Sequence, residues 1–204
     1  DMSFIEITGQ PCSGKTSFIA SEVSGKKVNF FKLGFFRQIF YFFSGINFLG
    51  FSRTKVLFYW SLCEDAPLYF RMNVFRNAAS KFGVFSSLQK SINNNVSRFI
   101  VDEGVSHLPF LFLKTDTRLI IEFIASELQI TDVHYLSSPG YDVIHQRLLV
   151  RGHKRLKFLY LSSFTTRIRE IEDILLSQYP NLCKKFKIIN CLLYTSPSPR
   201  DPTS

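Results

Sequence analysis

Cysteine is scarce in this chain. The 204 residues hold only Cys12, Cys63, Cys183 and Cys191. No C-x-x-C pair and no metal-ligand spacing joins them, which excludes a disulfide framework and a structural zinc site. The thiols read as reduced, which points to a cytoplasmic protein. Histidine is equally sparse. His107, His134, His145 and His153 show no ligand spacing, and none lies beside a nucleophilic Ser or Cys. Acidic residues number 16 against 25 basic ones, a formal charge of +9. That balance suits an anionic partner, and nucleotide phosphates satisfy it as well as nucleic acid does. No block of five or six like charges marks a basic tail, which disfavours nucleic acid. No charged n-region followed by an apolar stretch marks a signal peptide. The greasy stretch 28–51 is interrupted by Lys32, Arg37 and Asn47, so no run approaches the roughly 18 apolar residues of a spanning helix. No membrane insertion is expected.

What is present is globular. Hydrophobic residues make up 46% and charged residues 20%, enough for a sizeable core in one domain. The 23 phenylalanines are unusual, and most precede residue 125.

The first motif stands near the start. Ser3 to Thr8 alternates and is β-branched at its centre, as a strand should be. Gly9-Gln10-Pro11-Cys12-Ser13-Gly14-Lys15-Thr16 follows at once, and Ser17 to Val23 reads as a helix. Strand, G-x-x-x-x-G-K-[ST] and helix form a phosphate-binding loop in its required context. The glycines let successive N–H groups converge on one anion, and the helix start adds partial positive charge. Lys15 is expected on the β/γ-phosphates and the Thr16 hydroxyl on Mg²⁺. Residues 9–17, with Ser17 closing the set, are the candidate nucleotide contacts.

The end of the chain is set aside. Cys191 to Asp201 closely resembles the translation of a transposase-type sequencing adapter, so residues 191–204 are expected to be non-native. Residues 2–190 are then the natural domain. Asp1 before Met2 suggests reading from upstream of the start.

Between these ends the pattern alternates. Residues 26–33 form a second strand. Helices are predicted over 35–43, stopped by Ser44-Gly45, over 52–63, and from Pro67 to about Lys81, stopped by Gly83. In the last of these, Leu68, Met72 and Phe75 have the spacing of a buried face. Arg98 to Val101 is a short apolar run ending in Asp102-Glu103-Gly104. It reads as a buried parallel strand whose terminal carboxylate meets the ligand edge of the sheet. Asp102 is the second candidate for Mg²⁺. Glu103 has three open roles: orienting an attacking hydroxyl as a base, binding substrate, or facing solvent. A helix capped by Thr115 runs to Leu128, and a strand follows over 131–136. From Tyr141 a helix runs into a basic loop, with Arg147 and Arg151 on one face and Arg155 beyond Gly152. Arginines so grouped suit clamping a phosphoryl group in transfer, or a solvated basic face. A helix over 164–179 and a strand over 186–190 complete the domain.

The order of these motifs resembles the P-loop nucleoside and nucleotide kinases, the group that includes thymidylate and adenylate kinases. The likeness runs from the Gly9–Thr16 loop through Asp102-Glu103-Gly104 to Arg147, Arg151 and Arg155. It implies a three-layer α/β/α fold with a parallel, five-stranded sheet, ATP with Mg²⁺, and a lid. By the same likeness, residues 35–95 are a helical acceptor-binding insertion and residues 141–157 the lid. Two departures bear on the acceptor. The Asp-Arg of thymidylate kinases is here Asp102-Glu103, and their Arg-Glu-Pro is replaced by Lys32-Leu33-Gly34. The acceptor therefore need not be a nucleotide.

The leading expectation is an ATP-dependent phosphotransferase acting on a small-molecule acceptor. Lys15, Asp102, Glu103, Arg147 and Arg151 would be its catalytic set, with Arg37 and Arg71 as candidate acceptor contacts. The alternatives are a P-loop ATPase or GTPase acting as a nucleotide-gated regulatory protein, and a nucleic-acid-directed ATPase. A homodimer stays open.

Overall fold

The computed structural model describes residues 4–15, 18–19, 26–29, 34–92, 99–137, 140–151, 157 and 160–190. Its sheet contains β1 (Phe4–Gly9), β2 (Lys26–Asn29), β3 (Phe99–Asp102), β4 (Asp132–Ser137) and β5 (Lys185–Asn190). They lie side by side in the order β2-β3-β1-β4-β5, and every neighbouring pair is parallel. The α/β class and the parallel sheet agree with the reading of the sequence.

The central strands bury side chains towards both faces, apolar throughout except where β1 turns Glu6 and Thr8 to one of them. Ile5, Ile7, Ile100 and Leu136 pack on one side with Phe18 and Ile19. Phe99, Val101, Val133 and Tyr135 point the other way, into a larger core. That core is completed by α2 (Leu68–Ile92), α3 (Thr117–Leu128) and α5 (Leu161–Leu182). Ile144 and Leu148 of α4 (Tyr141–Arg151) join it as well. A 3₁₀ turn over Val105–Phe110, which the sequence pattern does not announce, follows β3 and is buried throughout.

The helical region departs from expectation in three ways. Ser44-Gly45 does not stop the first helix, and Gly83 does not stop α2. Helix α1 spans Phe35–Leu62 and is broken instead at Gly50, whose φ of 70° and ψ of 175° are non-helical. Gly45 and Gly83 serve a different purpose. A Cβ on Gly45 would strike the Ala79 backbone, and one on Gly83 would strike that of Tyr41. The glycines let α1 and α2 approach backbone to backbone. The buried face of α2 is also rotated from the expected one. Leu68 is 65% and Met72 40% exposed, while Val74, Phe75, Ala78, Phe82 and Phe85 are buried. In the first turns of α2 it is Phe70, not Leu68 or Met72, that packs against the core. A smaller correction concerns α3, whose N-cap is Asp116 rather than Thr115: the Asp116 carboxylate accepts the Arg118 N–H at 2.9 Å.

Among the described residues, no helix is long and apolar enough to cross a membrane.

Candidate functional site

The site grows out of the end of β1. Gly9 pairs with Leu136 across the ladder. A Cβ at Gly9 would strike the Leu136 carbonyl, so only glycine fits there. The chain then turns back on itself, and Ser13 N–H donates to the Gln10 carbonyl at 3.2 Å. Cys12 and Gly14 take left-handed backbone, with φ of 65° and 91°. Lys15, Phe18 and Ile19 are helical, and Phe18 N–H donates to the Gly14 carbonyl at 3.0 Å. The result is a strand, a tight loop and a helix start. Thr16 and Ser17 lie outside the described residues.

The loop is braced from behind. The Gln10 amide donates to the Glu172 carboxylate, which also accepts the Tyr135 hydroxyl at 2.9 Å. Gln10, Tyr135 and Glu172 are all buried. Pro11 borders Ile144 and Leu148 of α4. From the same helix, the Arg147 guanidinium donates to the Cys12 carbonyl at 3.2 Å. Arg151 lies one turn further along α4, with its side chain outside the described residues, as is Arg155 entirely.

Lys15 is 7% exposed, and its ammonium sits in the mouth of the loop. It donates to the carbonyls of Gly9 at 3.1 Å and Gln10 at 2.7 Å. Its third partner is the Glu103 carboxylate, at 3.2 Å. Glu103 follows directly on β3 and takes left-handed backbone, with φ of 58°, strained for a residue with a Cβ. Its N–H donates to the Ile7 carbonyl at 3.0 Å, which ties the turn to β1.

Two further basic groups converge on Glu103. His107 Nε2 lies 3.5 Å from the carboxylate, and its Nδ1 lies 3.2 Å from the Thr8 hydroxyl. Lys81, from the middle of α2, donates to the Glu103 backbone carbonyl. Burial opposes the ionisation of Glu103, but His107, Lys15 and Lys81 together outweigh it and hold the carboxyl far below the usual carboxylate range. Burial pushes the Lys81 ammonium down, against the pull of Glu103, Glu6 and Asp102. Glu6 is a buried acid in mid-strand. Its carboxylate accepts the Val105 and Ser106 N–H groups at 3.1 and 2.7 Å. Burial raises its pKa, and the hydrogen bonds from Ser106 and Val105 and the charge of Lys81 draw it back.

Loop, lysine and carboxylates have the chemistry to receive a phosphate chain. The Ser13 hydroxyl is buried and has no hydrogen-bond partner among the described residues. An orphaned donor within a loop that also presents an ammonium suits an anion with many oxygens. Asp102, at the end of β3 and in register with Ile7, is a hard oxygen donor suited to Mg²⁺. Among the described residues, no group of three or more His, Cys, Asp and Glu side chains could hold a metal ion.

The structure does not bring every candidate together. Arg37 is exposed on the first turn of α1. Arg71 donates to the Ala66 and Leu62 carbonyls at 2.6 and 2.7 Å and so holds the α1–α2 connection. A cleft of about 480 Å³ lies between Leu113-Lys114 and the first turns of α5, lined by Ser162, Ser163, Thr166, Arg167 and Glu170. None of the described loop residues lines this cleft.

Lys81, His107 and Glu6 are the site residues that motif reading passes over. Each left a trace. Lys81 lies three residues after Ala78 and seven after Val74, on the buried stripe of its helix. His107 stands four residues after Glu103. Glu6 interrupts a strand that is otherwise apolar at its centre. No known family model matches the chain, and no curated protein matches it.

Proposed function

We propose that this protein is an ATP-dependent phosphotransferase that moves the γ-phosphoryl group to a small-molecule acceptor. The observation that carries this reading is the Lys15 ammonium, buried between the loop carbonyls and the Glu103 carboxylate just beyond β3, at the end of a parallel sheet. Ligands of open α/β sheets bind at the carboxyl ends of the strands, where this lysine sits. The fuller architecture proposed is a three-layer P-loop kinase-like domain with a helical acceptor arm in α1 and α2. A cytoplasmic location goes with it.

The division of labour follows from the chemistry. The loop N–H groups and the Ser13 hydroxyl bind phosphate oxygens. Lys15 leaves Glu103 and the loop carbonyls and turns to the β/γ-phosphates. Arg147, already at the loop, neutralises charge that builds during transfer. Thr16 and Asp102 are the residues that would hold Mg²⁺, which supplies further neutralisation on the phosphates. Glu103, kept ionised by the basic groups around it, orients the acceptor hydroxyl by accepting its hydrogen bond; a carboxyl held so low is too weak a base to keep the proton, which leaves on the transferred phosphate or to water. Positioning and charge neutralisation account for most of the rate, because phosphoryl transfer needs little covalent help from the protein.

One observation favours the second reading, a nucleotide-gated regulatory ATPase or GTPase. Phe35, Phe36, Phe40, Phe43, Phe51 and Tyr59 of α1 are exposed. An aromatic face of this kind suits a macromolecular partner better than a small acceptor. A panel of nucleosides, nucleotides and small alcohols separates the two. A kinase raises its ATP turnover with one of them and phosphorylates it. Turnover stimulated only by a protein or polymer, with no small acceptor labelled, rejects the kinase.

A further inference from the structure

We infer that Lys81 is a positioning residue of the phosphate site. It locks the left-handed turn at Glu103 through that residue's carbonyl and so keeps the Glu103 carboxylate on Lys15. The inference rests on the reading of the Gly9–Lys15 loop as a nucleotide site.

The geometry argues for it step by step. Lys81 is 5% exposed and lies among Ala78, Phe82 and Phe85 on the buried side of α2. A lysine is rarely so buried without a specific partner. Its ammonium reaches the main chain of Glu103, not the side chain. The charged groups around Lys81 are Glu103 and Asp102 at the end of β3, Glu6 on β1 and Lys15 in the loop. The Glu103 carbonyl is held in place by an ammonium that cannot swing away into water. With the carbonyl held, the backbone stays at φ of 58° and the side chain is carried towards Lys15 and His107. Lys81 belongs to the helical arm proposed to bind the acceptor. The lock therefore joins that arm to the donor loop: a shift of α2 moves Glu103, and Glu103 sets how firmly Lys15 is held away from a phosphate.

The test uses the full chain and the variants Lys81→Met, Glu103→Gln and the double variant. In the free protein, Lys81→Met is expected to speed hydrogen exchange of the Glu103 amide by about tenfold or more, relative to neighbouring sheet amides. Unchanged exchange at Glu103 overturns the inference. This measurement needs no nucleotide. If the wild type fails to bind Mg-ATP, the donor-site reading falls, while the exchange result still decides for or against the lock. Where Mg-ATP binds, each single variant is expected to tighten its Kd by releasing Lys15 and to lower kcat. The double variant should match Glu103→Gln alone, because both changes act through one residue. A lysine that merely props up the core would lower Tm, leave Kd unchanged and add to Glu103→Gln, and this pattern overturns the lock. If Lys81→Met does not fold, the change is made in a Glu103→Gly background, where glycine adopts the left-handed turn unaided. Recovery of folding there supports the lock, and continued failure to fold overturns it.

Discussion

The Lys15 ammonium lies 3.2 Å from the Glu103 carboxylate. The ammonium of the loop is therefore paired with an acid of its own chain. On the function proposed above, an incoming phosphate competes with that pair. Glu103→Gln removes the competing charge and is expected to tighten Mg-ATP binding by about threefold to tenfold, in line with the modest net value of a partly exposed pair. Turnover should fall at the same time. Titration calorimetry and steady-state kinetics on the same protein read both. Weaker binding by Glu103→Gln would mean that the carboxylate helps to hold the nucleotide.

Lys15→Ala removes the ammonium itself. It is expected to lower turnover by about a hundredfold or more, the scale seen when one donor to developing charge is lost. The variant tests the site and leaves the class of reaction open. Circular dichroism should show an intact fold, since the polar partners of Lys15 among the described residues are loop carbonyls and Glu103.

Arg147 touches the loop at the Cys12 carbonyl. Arg147→Ala is expected to lower kcat by about tenfold to a hundredfold and to change ATP affinity much less. Arg147→Lys keeps the charge without the fork of donors and should recover only part of the rate. Equal losses in affinity and kcat would place Arg147 in ground-state binding.

Gly45 and Gly83 meet where α1 crosses α2. Gly45→Ala or Gly83→Ala puts a methyl group against backbone that cannot turn aside. Each is expected to destabilise the protein by about 2 kcal/mol or more. Gly50→Ala is the control. Its φ of 70° with ψ of 175° is backbone that glycine almost alone adopts, yet nothing lies within 4 Å of a Cβ there, so its cost of about 1–3 kcal/mol comes from backbone strain and should be the same for Gly50→Ser as for Gly50→Ala. Denaturant titrations of the variants check these values.

The cysteines should differ in reactivity. Burial pushes the Cys183 thiol up to about 12, with the charges of Glu6 and Asp132 adding to it. Cys63 is exposed. At pH 8, alkylation is expected to label Cys63 and spare Cys183. Mg-ATP should protect Cys12, which lies within the loop. The raised thiol also has a consequence for stability. It favours the fold below its ordinary value of 9.0, and this contribution is lost as pH rises from there towards 12. Tm should therefore fall more steeply above pH 9 in the wild type than in Cys183→Ala.

Sequence alone determined the strands and their order along the chain. Ile5 and Ile7 mark β1, and the run ending in Asp102 marks β3, because a buried parallel strand must be apolar for a few residues and then stop. Gly9 and Gly14 bracket a tight loop, since few other residues take its backbone. Tertiary structure alone decided what the glycines and lysines of the helical region do. Locally, Gly45 and Gly83 look like helix stops; only the crossing of α1 and α2 makes them points of contact. Lys81 looks like a surface lysine at a helix end. Its burial depends on α2 running past Gly83 and turning that face towards the sheet, which no local spacing encodes. The Lys15–Glu103 pair is likewise non-local: it joins residues 88 apart because β1 and β3 are neighbours in register.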